Sequence, residues 1–287
     1  MAGLFTHLIF ANQIAANSSH AFESTQHLTS FALGALATDS GYLQPKDSFS
    51  ADLAHTVGSL QLARTVLHLA DTPSDRAFAL GWISHAILDR HSHPVINAHS
   101  GQVSGIDHPL TFADNAPLHS AVELGIDASW IRELPALPIA HFRKQIPSAS
   151  HLLASAYRDT YGIEFPPSLF ASNLNRLLQA LSLLHRIYCW NRLDLFRSTP
   201  QTRSRWKAIL FPMKPDPSFQ EAMRQAIRSA LDDYSDGLTH HFVHIPDINL
   251  DTGDIGFCDR SYPPAISTLN RLNAIRTNCG LQPLQAS

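Results

Sequence analysis

Residues 79–94 read ALGWISHAILDRHSHP, and the rest of the chain is interpreted from them. They place three side chains of the metal-ligand type, His85, Asp89 and His93, at successive spacings of four in an otherwise apolar stretch. Four residues advance about 400° around a helix, so the three side chains share one face. A buried carboxylate between two imidazoles is costly unless it is paired or bound to a metal. The segment therefore predicts a core helix with a polar face that ends near Pro94, because proline disfavours helical geometry at the residue before it.

The same spacing occurs a second time. A core hydrogen bond between His85 and Asp89 would by itself explain that pair. The chain contains 17 histidines, however, and His119 and Glu123 also stand four apart in an apolar helical stretch. This recurrence favours a metal site over a set of unrelated core histidines.

Composition limits the class of protein. The 287 residues are 44% hydrophobic, which suffices for a substantial core. A net charge of −3 with 21 Lys and Arg argues against binding to duplex nucleic acid, although a small anionic substrate fits. The three cysteines predict a reducing compartment without a disulfide framework, hence a cytoplasmic protein. Residues 1–16 lack Lys and Arg and are interpreted as mature protein, and no run of eighteen apolar residues predicts a membrane span.

Hydrophobic periodicity predicts an all-α chain, since no strand pattern competes with the helical ones. Residues 97–115 and 245–262 lack periodicity and are expected to be loops. We expect a single domain, residues 1–287, built as a multi-helix bundle that encloses a multinuclear metal site. Residues 1–130 would carry the ligands and residues 131–287 would support them. Helices are predicted over residues 4–17, 23–38 and 51–70, the last of them capped by Ser50. The helix that carries His85 and Asp89 is predicted to end near residue 94, and the next helix is predicted to begin at residue 115. Further helices are predicted over residues 148–161, 168–197, 218–240 and 264–278.

The candidate ligands are nitrogen and oxygen donors without cysteine. Imidazole with carboxylate suits zinc, with manganese or iron possible. Eight side chains are too many for one tetrahedral ion and suit two or three ions that share a bridging carboxylate. The candidates are His7, Asp39, His55, His85, Asp89, His93, His119 and Glu123.

The order of these ligands resembles the zinc-dependent phospholipase C superfamily, which includes the single-strand-specific zinc nucleases. The resemblance covers about residues 1–130, and residues 206–222 resemble, more weakly, the cytosolic bacterial members. It implies an all-helical fold with three zinc ions. The segments that carry it are THL (6–8), ATD (37–39), LAH (53–55), LGWISHAILD (80–89), HP (93–94) and HSAVELGID (119–127).

The resemblance also implies which residues hold each ion. The first zinc would lie between Asp39, His55, His85 and Asp89, and the second between His93, His119 and Glu123. The third would take His7, a second oxygen of Asp89 and the terminal amine of Ala2, exposed by removal of Met1. The secreted members have six residues from the bridging Asp to the next His, whereas four separate Asp89 from His93, so His91 is an alternative to His93.

Function follows from the ions. Clustered divalent ions activate water near neutral pH and hold the attacking and leaving oxygens of a displacement at phosphorus. The first hypothesis is a zinc-dependent phosphodiesterase, similar to phospholipase C, in which Asp39 steers the attacking water or accepts its proton. A small phosphate ester or a phospholipid is the expected substrate. The alternatives are a nuclease or nucleotidase of the same fold, a metal-bound non-phosphoryl hydrolase, and a noncatalytic metal-binding protein.

Overall fold

The computed structural model describes residues 3–17, 22, 24–44, 48–134, 137–190 and 212–285. Within these ranges the protein is all-α, as predicted, and its only extended pairings are two isolated bridges. Short 3-10 helices, Thr38–Leu43 and Ile131–Glu133, follow α2 and α6. The α-helices are α1 (Leu4–Asn17), α2 (Thr25–Ala37), α3 (Phe49–Thr56), α4 (Ser59–His68), α5 (Pro73–Ser104), α6 (Ala116–Trp130), α7 (Ile139–Tyr161), α8 (Pro167–Trp190), α9 (Pro217–Thr239) and α10 (Pro263–Asn278).

Helix α5 is the axis of the bundle, and α2 packs most closely against it. The contact is backbone to backbone. A Cβ atom added at Gly34 would lie 2.0 Å from the carbonyl oxygen of Phe78, and one added at Gly81 would lie 2.0 Å from that of Phe31. Only glycine fits at both positions. This close approach brings Asp39, just beyond the end of α2, beside the polar face of α5.

Helix α5 does not end at Pro94, which corrects the sequence prediction. The helix continues ten residues to Ser104, and Gly105, with φ 71°, ends it in the left-handed conformation. A proline removes one backbone hydrogen bond, and a helix continues through it when other contacts hold the far side. Here the carbonyl of Asn97 accepts the Leu110 N–H and its side chain donates to the carbonyl of Asp251. The loop that was expected from residue 97 therefore begins only at residue 105.

The helix predicted over residues 51–70 is two helices, and Ser50 is not its N-cap. Helix α3 begins after Ser48 and ends at Thr56, and α4 begins at Ser59. Between them Val57 is extended and Gly58 has φ 61°. Val57 pairs with Cys258, and the Gly58 N–H donates to the carbonyl of Phe257 at 2.6 Å. A segment nearly two hundred residues away thus interrupts a helix that local sequence favours.

The remaining helices begin within two residues of the predictions, except α7. Ser24 caps α2 by accepting the His27 N–H, and Asn115 caps α6 by accepting the Leu118 N–H. Helix α7 begins at residue 139 rather than 148 and includes Pro147. Residues 191–197 of the helix predicted over 168–197 lie outside the described ranges.

The buried apolar residues form one cluster that draws on both halves of the chain, for example Leu36 and Ile83 with Tyr157, Leu177 and Ile227. Residues 245–262 connect α9 to α10 and lie against α3 and α5, where the Leu250 N–H donates to the carbonyl of His55. Across the described ranges, no helix combines the length and the apolar character needed to cross a membrane.

Candidate metal centre

The eight side-chain ligand candidates meet in one buried region. Helix α5 supplies three of them, α6 supplies two, and α1, the 3-10 helix and α3 supply one each. All are fully buried except Glu123, which is 3% exposed. Their donor atoms form three groups that could each hold a metal ion, namely His7 with His85 and Asp89, Asp39 with His55 and His85, and His93 with His119 and Glu123.

Asp89 lies between the groups and turns one oxygen to each side. Its Oδ2 is 3.1 Å from His85 Nε2 and 3.8 Å from His55 Nε2. Its Oδ1 is 3.2 Å from His7 Nε2 and 3.8 Å from His93 Nε2. The rings of His7 and His85 stack with their centroids 3.8 Å apart. A carboxylate with this arrangement can bridge two ions.

Two imidazoles are oriented by the backbone. His55 Nδ1 donates to the carbonyl of Ala51 at 2.8 Å, and His85 Nδ1 donates to the carbonyl of Ala35 at 2.9 Å. A carbonyl only accepts, so Nδ1 carries the proton and Nε2 of the neutral ring presents its lone pair to the carboxylates of Asp39 and Asp89. His55 Nε2 lies 3.2 Å from Asp39 Oδ1. A lone pair and a carboxylate oxygen repel at this distance unless a metal ion or a proton lies between them.

The donor set fits zinc on two further observations. Both carboxylate oxygens of Asp39 and Asp89, and Nε2 of His7, His55, His85 and His93, are buried without a hydrogen bond of acceptable geometry. Buried polar atoms in proteins are nearly always satisfied, so a shared unsatisfied set calls for a partner. Ligand atoms about 2.0–2.1 Å from a tetrahedral ion are about 3.3 Å apart. Three of the observed nitrogen-to-oxygen distances are 3.1–3.2 Å.

The charge states of the metal-free centre differ from one end to the other. Burial tends to raise the pKa of Asp39, but His85 and His55 outweigh it and lower that pKa to about 2. Burial tends to lower the pKa of His55, but the Asp39 carboxylate raises it to about 9. At His93, burial prevails and lowers the pKa to about 4. A proton is therefore held between His55 and Asp39, whereas His93 is neutral.

His93 and His91 take different places. His93 faces inward, with its Nε2 3.8 Å from Glu123 Oε1, and His119 Nε2 is 2.9 Å from the same oxygen. His91 is half-buried on another face of α5, and its Nε2 lies 2.8 Å from Asp233 Oδ2 on α9. Pro94 does not change the direction of the His93 side chain, because α5 is continuous at this point and His93 follows Asp89 by one helical turn. Ala2 lies outside the described residues.

Asp127, part of the last quoted motif, fixes the approach of α1. Its carboxylate accepts the backbone N–H of Phe5 and of Thr6 and the Thr6 hydroxyl. It therefore caps the first turn of α1 from α6, although burial raises its pKa to about 7. A Cβ atom at Gly3 would lie 2.1 Å from the Asp127 carboxyl carbon, so glycine is needed there. The contact sets the position of His7, one residue further on.

Sequence reasoning missed part of the surroundings. Asp251, in the half described as supporting, has its Oδ1 3.9 Å from His93 Nδ1 and its Oδ2 within 3.2 Å of the Tyr262 hydroxyl, which donates to it. The available signal was the Asp-rich aperiodic stretch 245–262. Two partly exposed aromatic rings also lie against ligands. The ring centroids of Tyr42 and His55 are 5.1 Å apart, and those of Phe112 and His119 are 5.7 Å apart.

Comparison with known proteins identifies one family. A family model described as zinc dependent phospholipase C matches residues 6–178. The match runs from α1 into α8 and includes all eight side-chain ligand candidates, and it ends before Asp251. No curated protein and no solved structure matches the chain.

Proposed function

The chain belongs to the zinc-dependent phospholipase C family, and from this premise we propose that its buried ligands hold two to three zinc ions that hydrolyse a phosphodiester. The observation that carries the proposal is Asp89, which offers separate oxygens to imidazoles on its two sides. A carboxylate in this position supports two neighbouring ions at once. The proposed grouping is Asp39, His55, His85 and Asp89 for one ion and His93, His119 and Glu123 for a second, with His7 and Asp89 contributing to a third.

Bound zinc would lower the pKa of a water molecule and polarise the oxygens of a phosphoryl group. The chain's own contribution begins at Asp39. With a pKa of about 2, its carboxylate is ionised at neutral pH and can orient a water molecule or accept its proton. The Nδ1 bonds of His55 and His85 to backbone carbonyls hold these rings so that only Nε2 faces the reacting region. We therefore assign to Asp39 the role of orienting the attacking water or accepting its proton.

Charge favours a phosphate ester as substrate. Three zinc ions would carry six positive charges against the three carboxylates of Asp39, Asp89 and Glu123, so the centre attracts an anion without an arginine cluster. The whole chain has a net charge of −3, which offers no broad basic surface to a duplex. A phospholipid or another small phosphodiester is therefore the preferred substrate.

A second candidate, a nuclease or nucleotidase, is favoured by the two aromatic rings beside the ligands. Tyr42 lies next to His55 and Phe112 next to His119, and both side chains are partly exposed. Aromatic rings near a phosphodiester site can stack bases. Tyr42→Leu and Phe112→Leu should reduce hydrolysis of a dinucleotide but leave that of bis(p-nitrophenyl) phosphate within about twofold if this candidate is correct.

The test combines metal content with a substrate panel. Protein purified without chelator or added metal should contain at least two zinc equivalents per chain by elemental analysis. It should hydrolyse one of bis(p-nitrophenyl) phosphate, phosphatidylcholine vesicles and single-stranded oligonucleotide, and lose that activity on chelation. Less than one transition-metal equivalent would refute the metal centre. Full metal with no turnover on any phosphodiester would favour a non-phosphoryl hydrolase or a noncatalytic metal-binding protein.

We also propose that residues 1–287 form one domain and that the protein is cytoplasmic. The single buried apolar cluster shared by both halves supports the first proposal. The second is supported by Cys189, Cys258 and Cys279, all of them free thiols. Non-reducing mass mapping of protein from cells would test the redox state.

A further inference from the structure

Residues 245–262 lie outside the family match, yet they reach the centre. The segment is fastened to the two helices that carry His55 and His93. The Leu250 N–H donates to the His55 carbonyl at 2.8 Å, and Asn97 Nδ2, one turn beyond His93 on α5, donates to the Asp251 carbonyl at 2.9 Å. Asp251 is thereby held at a fixed place between α3 and α5, and it is 7% exposed.

The Asp251 carboxylate is the acidic group of this segment that turns toward the ligands. Its Oδ2 accepts the Tyr262 hydroxyl, and its Oδ1 lies 3.9 Å from His93 Nδ1. Asp247, four residues earlier, instead accepts the Gln61 N–H and lies 3.7 Å from Arg64. Asp259 accepts the N–H and the hydroxyl of Ser261. Asp247 and Asp259 are therefore occupied elsewhere, and the fourth aspartate of the segment, Asp254, is exposed.

His93 needs a group of this kind. Among the described residues its Nδ1 is buried and has no hydrogen-bond partner. A histidine that binds a metal through Nε2 usually donates its Nδ1–H to a carboxylate or a carbonyl, which fixes the tautomer and the ring orientation. His55 and His85 have backbone carbonyls for this purpose, whereas the acceptor that faces His93 Nδ1 is Asp251.

We infer that Asp251 is a positioning residue of the metal centre. Its carboxylate accepts a hydrogen bond from the Nδ1–H of His93 and so directs the Nε2 of His93 toward Asp89 and Glu123. Closing the distance from 3.9 Å to a hydrogen bond requires a movement of about 1 Å, and coordination of Nε2 would fix the ring in that position. The inference rests on the proposed function only for the identity of the metal. The tautomer that it assigns to His93 does not depend on the proposed function. It also assigns to the second half of the chain a direct part in the centre.

The test compares Asp251→Ala with Asp247→Ala. Asp247 is a matched control, because it belongs to the same segment and its carboxylate also accepts a hydrogen bond, but it faces α4. Competition with a chromophoric chelator should show zinc held about 10–100-fold more weakly by Asp251→Ala at one site, and wild-type affinity in Asp247→Ala. Asp251→Asn keeps the side-chain volume and one acceptor oxygen, so its affinity should lie between that of Asp251→Ala and that of the wild type.

Nitrogen-15 NMR of the imidazole rings supplies a second measurement, with His93→Gln used to assign the signals. The wild type should show His93 in the Nδ1–H tautomer, and Asp251→Ala should show a mixture of tautomers. Unchanged affinity and unchanged tautomer in Asp251→Ala would overturn the inference, as would an equal loss in Asp247→Ala. If Asp251→Ala does not fold, Asp251→Asn decides by the same two measurements. Wild-type protein that retains less than one zinc equivalent would refute the proposed function alone, since the NMR comparison can be made on metal-free protein.

Discussion

The two ends of the candidate centre are built differently. At the Asp39 end, backbone carbonyls orient His55 and His85, one of them four residues earlier in the same helix and the other on the neighbouring helix α2. At the Glu123 end, the Nδ1 of His93 faces a side chain from a distant segment. At the first end the acceptors are backbone carbonyls of helices, whereas at the second end the acceptor is a side chain of residues 245–262. The comparison indicates one end that is oriented by helical backbone and one that depends on a segment distant in sequence.

The largest expected effect comes from Asp89, which the proposed grouping gives to two ions. Asp89→Asn should lose more metal than His93→Ala and should lose all hydrolysis, because an amide has only one oxygen to offer and cannot bridge two ions. Elemental analysis of protein purified without chelator measures the loss. Asp233→Asn, which removes a carboxylate that pairs with Arg90 and His91 on another face of α5, should keep the wild-type content. Full metal content in Asp89→Asn would mean that Asp89 does not bridge two ions.

Asp39 should matter more for turnover than for occupancy. Asp39→Asn should lower kcat on bis(p-nitrophenyl) phosphate by about 10²–10⁴-fold, the usual contribution of general acid–base catalysis, and should lose at most one ion. Steady-state kinetics at saturating zinc separate the two effects. Intact turnover would show that Asp39 neither steers the attacking water nor accepts its proton.

At the other end, His93→Ala should lose one ion, and His91→Ala should lose none. The reason is that His93 faces His119 and Glu123, whereas His91 contacts Asp233. The ratio of zinc to protein in each purified variant is the measurement. Loss of one ion in His91→Ala with full metal content in His93→Ala would instead identify His91 as the ligand. The ion at the Glu123 end would then lie against a different face of α5.

The smallest effects concern the stability of metal-free protein, where the two ends should respond to pH in opposite directions. His55 has its pKa raised from 6.5 to about 9 in the folded protein, so its contribution is complete below pH 6.5 and is lost as pH rises through 9. His93 has its pKa lowered to about 4, so stability is lost as pH falls from 6.5 through 4. Each change amounts to at most about 3 kcal/mol.

Urea unfolding of chelator-treated protein between pH 4 and 9 measures both changes. His55→Gln should flatten the alkaline side of the profile, and His93→Gln should flatten the acidic side. If either variant flattens both sides, the two ends titrate as one unit and the proposed difference between them does not hold.

Much of the fold could be predicted from the sequence because local signals and packing agree. The spacing of apolar residues predicted α1, α2, α6, α9 and α10 to within one or two residues, and the caps Ser24 and Asn115 mark real helix starts. Five of the eight side-chain ligand candidates, on α5 and α6, were found because His and carboxylate spacings of four residues in apolar helices are visible without the structure. His7, Asp39 and His55 have no such spacing, and the order of the ligands, which resembles the zinc-dependent phospholipase C superfamily, supported their assignment.

The failures have a common physical cause, which is contact between residues far apart in the chain. Pro94 favours a helix end locally, but hydrogen bonds from Leu110 and to Asp251 hold the following turns. Residues 51–70 have a continuous helical pattern, but Phe257 and Cys258 bind the backbone at Val57 and Gly58. Asp251 itself has no local pattern that connects it to His93. Each of these features requires the path of residues 245–262, which periodicity does not give.

The glycine contact between α2 and α5 has a consequence for how the protein can change over evolutionary time. Gly34 and Gly81 set the separation of these helices through backbone atoms, so the spacing between Asp39 and Asp89 does not depend on which aliphatic side chains fill the space around them. Leucine, isoleucine and valine can therefore be exchanged in the surrounding core with the ligand geometry retained. A single methyl group at either glycine would instead wedge the two helices apart and separate ligands that the rest of the sequence still encodes correctly.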